Sequence, residues 1–299
     1  MRSKNWLTIT LPIVLASISM CMASNASAEW YLNTEAKLKH DSNLDNAGSS
    51  EDIVSDSALA ISMAGGKFFQ LDDNDSLSIE GEFNGEAYKR FHGMDNASLG
   101  VNLTLRRKWA LGLYAPWTSL SGSVAHLSYN DNIRDGWLYQ AQLSGGKRLT
   151  ERWDVWADIL LEKRTADHAV VVDPGFSGAV FDQTSKTLKL NALYAFDNRT
   201  YLTLGYQLRH GDIASTILED RPASNFNSVM TAVTADPAFG PDAEVYRLTG
   251  TTHMLGASIS MTFATHFVAG FEYQRQITHA KGDNNYYKSL PALTLSYSF

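Results

Sequence analysis

Apolar and polar residues alternate with period two along nearly the whole chain. In residues 76–91, Leu77, Ile79, Gly81, Phe83, Gly85 and Ala87 share one face. Ser78, Glu80, Glu82, Asn84, Glu86, Tyr88 and Arg90 share the other. Residues 187–196 set Leu188, Leu190, Ala192, Tyr194 and Phe196 against Lys189 and Asn191, and residues 201–210 set Leu202, Leu204, Tyr206 and Leu208 against Thr203, Gly205, Gln207 and Arg209. Such alternation predicts strands with one dry face, not helices. Twelve runs follow this pattern, near 30–40, 55–70, 75–91, 97–109, 117–130, 136–148, 153–165, 184–196, 200–211, 245–263, 267–278 and 286–299.

A soluble sandwich would also alternate, so the connections decide. Short ones fall at 71–75, 110–116, 149–153, 197–200 and 264–266. Longer ones fall at 41–54, 92–96, 131–135, 166–183, 212–244 and 279–285. Short turns at one end, longer loops at the other and an even strand number predict an all-β fold, a transmembrane antiparallel β-barrel.

The aromatic residues fit this layout. Trp30, Tyr31, Phe69, Trp109, Trp117, Trp153, Phe196, Tyr201, Phe263, Phe267 and Phe299 gather beside the short turns. A looser set (Phe91, Tyr129, Trp137, Tyr139, Tyr286 and Tyr287) lies near the long loops. Paired girdles of this kind place amphipathic rings at the two headgroup layers. The charges sit on the polar face, including Glu35, Lys37, Lys39, Glu80, Glu82, Glu86, Arg90, Arg106, Arg148, Asp158, Glu162, Arg164, Lys189, Arg209, Glu272 and Lys288. The apolar face carries very few. The expectation is a protein dry outside and polar within.

The two chain ends add context. Residues 1–28 carry Arg2 and Lys4, an apolar stretch from Trp6 to Met22, and Ala26-Ser27-Ala28, the layout of a secretory signal peptide that leaves 29–299 as the mature barrel. Removing them takes away two bases and no acid, so the net charge of −7 becomes −9. It also removes Cys21, the single cysteine, so no disulfide is expected although the route is oxidising. The acidic balance argues against nucleic acid as a partner. At the other end Leu293, Leu295, Tyr297 and Phe299 alternate up to the last residue. A barrel must close its last strand on its first, because lipid cannot solvate a free edge.

With these features the chain resembles bacterial outer-membrane β-barrel proteins of the porin-like kind, over essentially all of 29–299. Leu293, Leu295, Tyr297 and Phe299 resemble the C-terminal signal read by the barrel-assembly machinery. The resemblance implies an outer-membrane location with both termini periplasmic, contact with outer-membrane lipid and lipopolysaccharide, and no cofactor. It does not name an oligomeric state.

Some short motifs invite chemistry. His40 and Ser42, two apart in "KHDSNLDNAG", resemble the His-x-Ser-Asn motif of outer-membrane phospholipase A, in which Ser is the nucleophile and His the base. Asn43 points to the other face and Leu44 replaces that family's Gly, and the same residues suit a strand ending in an Asx turn. "LDDNDS" (71–76) groups Asp72, Asp73, Asn74 and Asp75 as calcium ligands or as a tight hairpin, and the hairpin reading is preferred because no Glu completes a calcium loop. The histidines have no metal-ligand spacing. The expected interior charges, Glu80, Glu82, Glu86, Arg106, Arg148, Asp158, Glu162, Lys189 and Arg209, are of mixed sign. Acidic ladders on the third and seventh strands face bases from their neighbours, Arg106 and Lys108 beside the third, Arg148 and Lys189 beside the seventh. Such a lumen suits a narrow pore or small-solute channel. A structural or interaction barrel, with loops 166–183 and 212–244 as its contact surface, is the alternative. A lipid hydrolase using His40 and Ser42 comes third, so the chain is read as a non-enzyme.

Overall fold

β1 (Glu29–Asp41) pairs antiparallel with β13 (Tyr286–Ser298), from Asn33 opposite Ser298 to Lys39 opposite Ala292, and so closes the sheet on itself. Between them run β2 (Asp56–Gln70), β3 (Asp75–Tyr88), β4 (Asn96–Lys108), β5 (Trp117–Tyr129), β6 (Gly136–Arg148) and β7 (Trp153–Ala166). β8 (Gln183–Ala195), β9 (Thr200–Ile217), β11 (Glu244–Ala264) and β12 (Phe267–Ala280) continue the ring, each paired with its neighbour. The result is a closed twelve-stranded antiparallel barrel. This computed structural model describes residues 29–170, 179–218 and 229–299. The expected signal peptide, 1–28, lies outside the described residues.

The outward face is apolar, as β4 shows with Leu99, Val101, Leu103 and Leu105 all exposed, while Ser98, Asn96 and the acids Glu86 and Asp158 of other strands are buried on the inner side. In water this surface would be costly, and in lipid it needs no partner. Closure satisfies the backbone of the seam: Phe299 N–H donates to the Leu32 carbonyl at 2.9 Å, and Leu32 N–H returns a bond of 3.2 Å to Phe299 O.

Two readings of the sequence change here. The stretch 212–244 is not loop throughout, because β9 runs to Ile217, β11 starts at Glu244, and a short β10 (Ala232–Ala235) lies along the β11 edge with Ala232 opposite Arg247. Ser215, Thr216, Val245, Tyr246 and Leu248 are all buried. A strand covered on both faces loses the period-two signal that marks one dry face. The second change concerns the aromatic set near the long loops. Trp137, Tyr139 and Tyr287 are exposed on the outer wall, whereas Tyr286 is buried, Phe91 packs on Phe239, and Tyr129 lies under the Arg164 guanidinium. At the short-turn end Trp30, Trp109, Phe196, Phe263, Phe267 and Phe299 are exposed, but Tyr31 and Trp117 turn inward, Tyr31 to Glu80 and Trp117 beneath Arg106.

Candidate functional site: the inner wall and its mouth

The inner wall is built around a strand of small residues. β2 presents Ala58, Ala60, Ser62, Ala64 and Gly66 inward, so side chains of β1 reach over it to β3. Tyr31 donates to Glu80 Oε1 at 2.6 Å above Gly66, and Lys39 pairs with Glu86 above Ala58 and Ala60. A Cβ on Gly66 would lie 2.3 Å from the Ile79 carbonyl oxygen and 3.0 Å from Glu80 Cα. Only glycine lets the two strands meet there. On the other flank Lys37 lies 3.5 Å from Glu35 and 3.4 Å from Glu272, and Lys288 donates to Asp41 at 2.9 Å. The ladder thus takes partners from across β2, where the sequence pattern had pointed to β4. Arg106 stands opposite Ser76 and stacks on Trp117 at 4.2 Å, while Asn102 is the residue opposite Glu80.

The β6–β9 sector repeats the mixture of signs. Asp158 is buried, lies opposite Lys189, and accepts from Asn191 at 3.2 Å and Gln142 at 3.4 Å. Glu162 accepts from Gln140 at 2.9 Å, Arg148 lies 3.6 Å from Asp154, and Arg209 donates to the Asp212 carbonyl at 2.8 Å. Between the two charged sectors β5 offers Ser119, Ser121 and Ser123. Neutral hydroxyl wall and mutually compensated charges give the interior a polar lining without one dominant sign.

At the long-loop end the connections fold over the opening. After β10, residues 236–239 leave the β11 wall and reach loops of the facing side. Arg134 of the β5–β6 loop donates from Nη2 to both carboxylate oxygens of Asp236, at 2.7 and 2.6 Å, and Thr216 Oγ1 donates to the same carboxylate at 2.6 Å. The Arg134 and Asp236 side chains are both buried. Burial opposes the Arg134 cation, but the Asp236 carboxylate outweighs it and holds the guanidinium above its ordinary pKa. Beyond it Ala238 sits against Gly93 so closely that a Cβ there would come within 2.5 Å of Ala238 Cα, and Phe239 meets Phe91 with ring centroids 5.0 Å apart. Val180, Phe181, Ala232 and Val245 form an apolar cluster with Ile133, capped by the Arg134 and Arg164 guanidiniums at 4.7 and 5.1 Å from the Phe181 ring. From the β1–β2 loop, Asp45 O accepts Thr216 N–H at 2.8 Å, and Asn46 donates to Ala214 O at 2.8 Å. Asp45 is itself buried, which pushes its carboxyl up to about 6, and burial raises Asp131 and Asp135 in the same direction.

The other motifs resolve locally. His40 Nδ1 lies 3.0 Å from Ser57 Oγ, and Ser42 Oγ accepts the Ser289 N–H at 2.8 Å, so each has a separate partner. Asn43 ties its own loop by donating to Ala47 O and accepting Ala47 N–H, both at 2.9 Å. Asp72 accepts the N–H groups of Asn74 and Asp75 at 2.7 and 2.8 Å, a hairpin turn that lowers its pKa. Arg134 and Asp236 carry no sequence signal, since nothing local links residues a hundred positions apart. The small inward residues of β2 stand at alternate positions, Ala58, Ala60, Ser62, Ala64 and Gly66, a signal of side-chain size that hydropathy alternation alone does not carry.

No protein-family model matches the sequence, and no curated protein matches it. Solved structures do. An outer-membrane channel from Pseudomonas putida F1 is similar with a TM-score of 0.59 at 13% identity, covering 93% of this chain and 97% of that one. The NanC porin gives 0.44 at 8% identity over 88% and 98% of the two chains. An anion-selective porin from Comamonas acidovorans gives 0.36 at 8%, over 92% and 100%. The likeness to the Pseudomonas putida channel shows the fold, a closed antiparallel barrel of the outer-membrane type.

Proposed function

We propose that the protein is an outer-membrane channel for small solutes, with the long-loop end outward and both termini periplasmic. The observation that carries this is the inner wall. It carries both signs of charge, with Lys37–Glu272 and Lys39–Glu86 paired and Asp158 hydrogen-bonded to Asn191, its β5 sector is lined by serines, and an apolar band encloses it. A twelve-stranded ring encloses more room than eight strands, whose side chains fill the interior. The mouth loops set the conditions of passage, because solute must displace or thread between the 229–243 segment and its Arg134 anchor. Planar-bilayer recording of the purified protein tests the reading, and discrete conductance steps are expected. Labelling of Glu51→Cys on intact cells, with Asp197→Cys protected, tests the orientation.

The packed mouth favours one second reading, a barrel whose role is structural. Silence of both the native protein and an Asp236→Asn variant in bilayers would select it. The last strand supplies the assembly signal through Leu293, Leu295, Tyr297 and Phe299, and no catalytic role is assigned to His40 or Ser42.

A further inference from the structure

We infer that the outer wall below the long loops carries a lipid-phosphate site on β7–β9, centred on Lys163, Lys186 and His210, and that its occupant is the phosphorylated headgroup of lipopolysaccharide. The inference rests on the proposed orientation. All three side chains are exposed on the lipid-facing side of their strands, in line with Leu161, Leu188 and Leu208. Register places them together. Lys186 lies directly beside His210 and beside Leu161, two residues from Lys163 on the same face. Lys163 in turn stands opposite Tyr139, one of the exposed aromatics that mark headgroup depth. The row continues through Thr251, 3.0 Å from His210 Nδ1, to His279 opposite it on β12.

A lysine facing hydrocarbon is unfavourable at mid-depth and tolerated only near the interface, where it meets anionic headgroups. Two ammonium groups and an imidazole within neighbouring positions of three strands give a concentrated anion-binding surface. Just beyond the strand ends the exposed Asp167 lies 2.8 Å from His126 Nε2 and the exposed Asp182 accepts Ala166 N–H at 2.7 Å. Among the described strand residues of this sector the one outward carboxylate is Asp212, whose oxygen accepts Thr184 N–H at 2.8 Å and Thr184 Oγ1 at 3.1 Å. It is engaged with backbone and hydroxyl rather than with either lysine. Charge complementarity selects a phosphate, and the outer-leaflet depth selects lipopolysaccharide as its source.

The test uses refolded barrel in a neutral maltoside detergent, titrated with fluorescent bisphosphorylated lipid A. The Lys163→Ser/Lys186→Ser double variant is expected to bind about tenfold more weakly or worse, while Lys67→Ser/Lys147→Ser, at the short-turn end, keeps native affinity. Dephosphorylated lipid A should bind neither protein tightly. Equal affinity of the double variant, or equal competition by phosphatidylglycerol, overturns the inference. Both lysines point away from the lumen, so bilayer conductance is read in parallel. A silent native barrel would refute the channel without touching the lipid site.

Discussion

Tyr31 and Glu80 meet across an intervening strand, the phenol donating to Oε1 at 2.6 Å over the bare backbone of Gly66. The contact exists because β2 withholds side chains from the inner wall. Tyr31→Phe is expected to lower stability by about 1–2 kcal/mol, the worth of a hydrogen bond to a charged group beside some solvent. Gly66→Val is expected to do more, about 1–3 kcal/mol or failure to close, since its Cβ meets backbone atoms that cannot swing aside. Urea midpoints of the refolded barrels measure both.

The acidic ladder should set charge selectivity. Replacing Glu80, Glu82 and Glu86 with Gln leaves Lys39 without its carboxylate partner at Glu86. The lumen potential then becomes more positive, and the reversal potential across a salt gradient should shift toward anion preference. An unchanged reversal potential would place the ladder outside the conduction path.

The Arg134–Asp236 pair is expected to act as the latch of the mouth. Asp236→Asn leaves a buried guanidinium without its counter-charge, a change that typically costs about 3–5 kcal/mol. The loss should fall on the loops rather than on the barrel. Trypsin cleavage after Arg134 should accelerate on the order of a hundredfold, the equivalent of about 3 kcal/mol of local opening. The heat-modifiable gel shift of the barrel should persist. Cleavage at the native rate would show that the apolar cluster alone holds the loops.

The mouth should also tighten in mild acid. Asp45 has a folded pKa of about 6, above its ordinary value of 3.8, because burial disfavours its charge. Protonation therefore favours the packed state. Its stabilisation is complete below about pH 4 and is lost as pH rises through about 6. Asp131 and Asp135 shift the same way, while Lys288 acts against the shift at Asp45 and Asp41 acts with it. Protease protection of the loops should rise from pH 7 to pH 5, and Asp45→Asn should flatten that rise.

Phe299 joins the first strand to the last through paired bonds with Leu32, while its ring stands exposed on the outer wall. Phe299→Asp is expected to cut the level of folded barrel in the outer membrane severalfold by placing a charge at the closing seam. Immunoblots of heated and unheated membranes measure it. Native levels of the folded band would remove the C-terminus from the assembly signal.

Strand number and facing were legible in the sequence because they are local. Each strand of the ring has one side toward an apolar medium, and that alone writes period two into the chain. Leu99, Val101, Leu103 and Leu105 show it directly, and the same alternation put Glu80, Glu82, Glu86 and Asp158 on the inner side. Which inner charges meet was decided by the tertiary structure. Glu86 finds Lys39, two strands away, because Ala58 and Ala60 leave the path clear, a relationship fixed by register and side-chain size across three strands. The mouth was least legible. Asp236 and Arg134 lie 102 positions apart, and β9 and β11 lose their alternation where Ser215, Thr216, Val245 and Tyr246 are covered on both faces. One-sided burial leaves a periodic trace in the sequence, whereas two-sided burial and long-range pairing leave none, so the alternating wall was determined by the sequence and the packing of its mouth only by the folded chain.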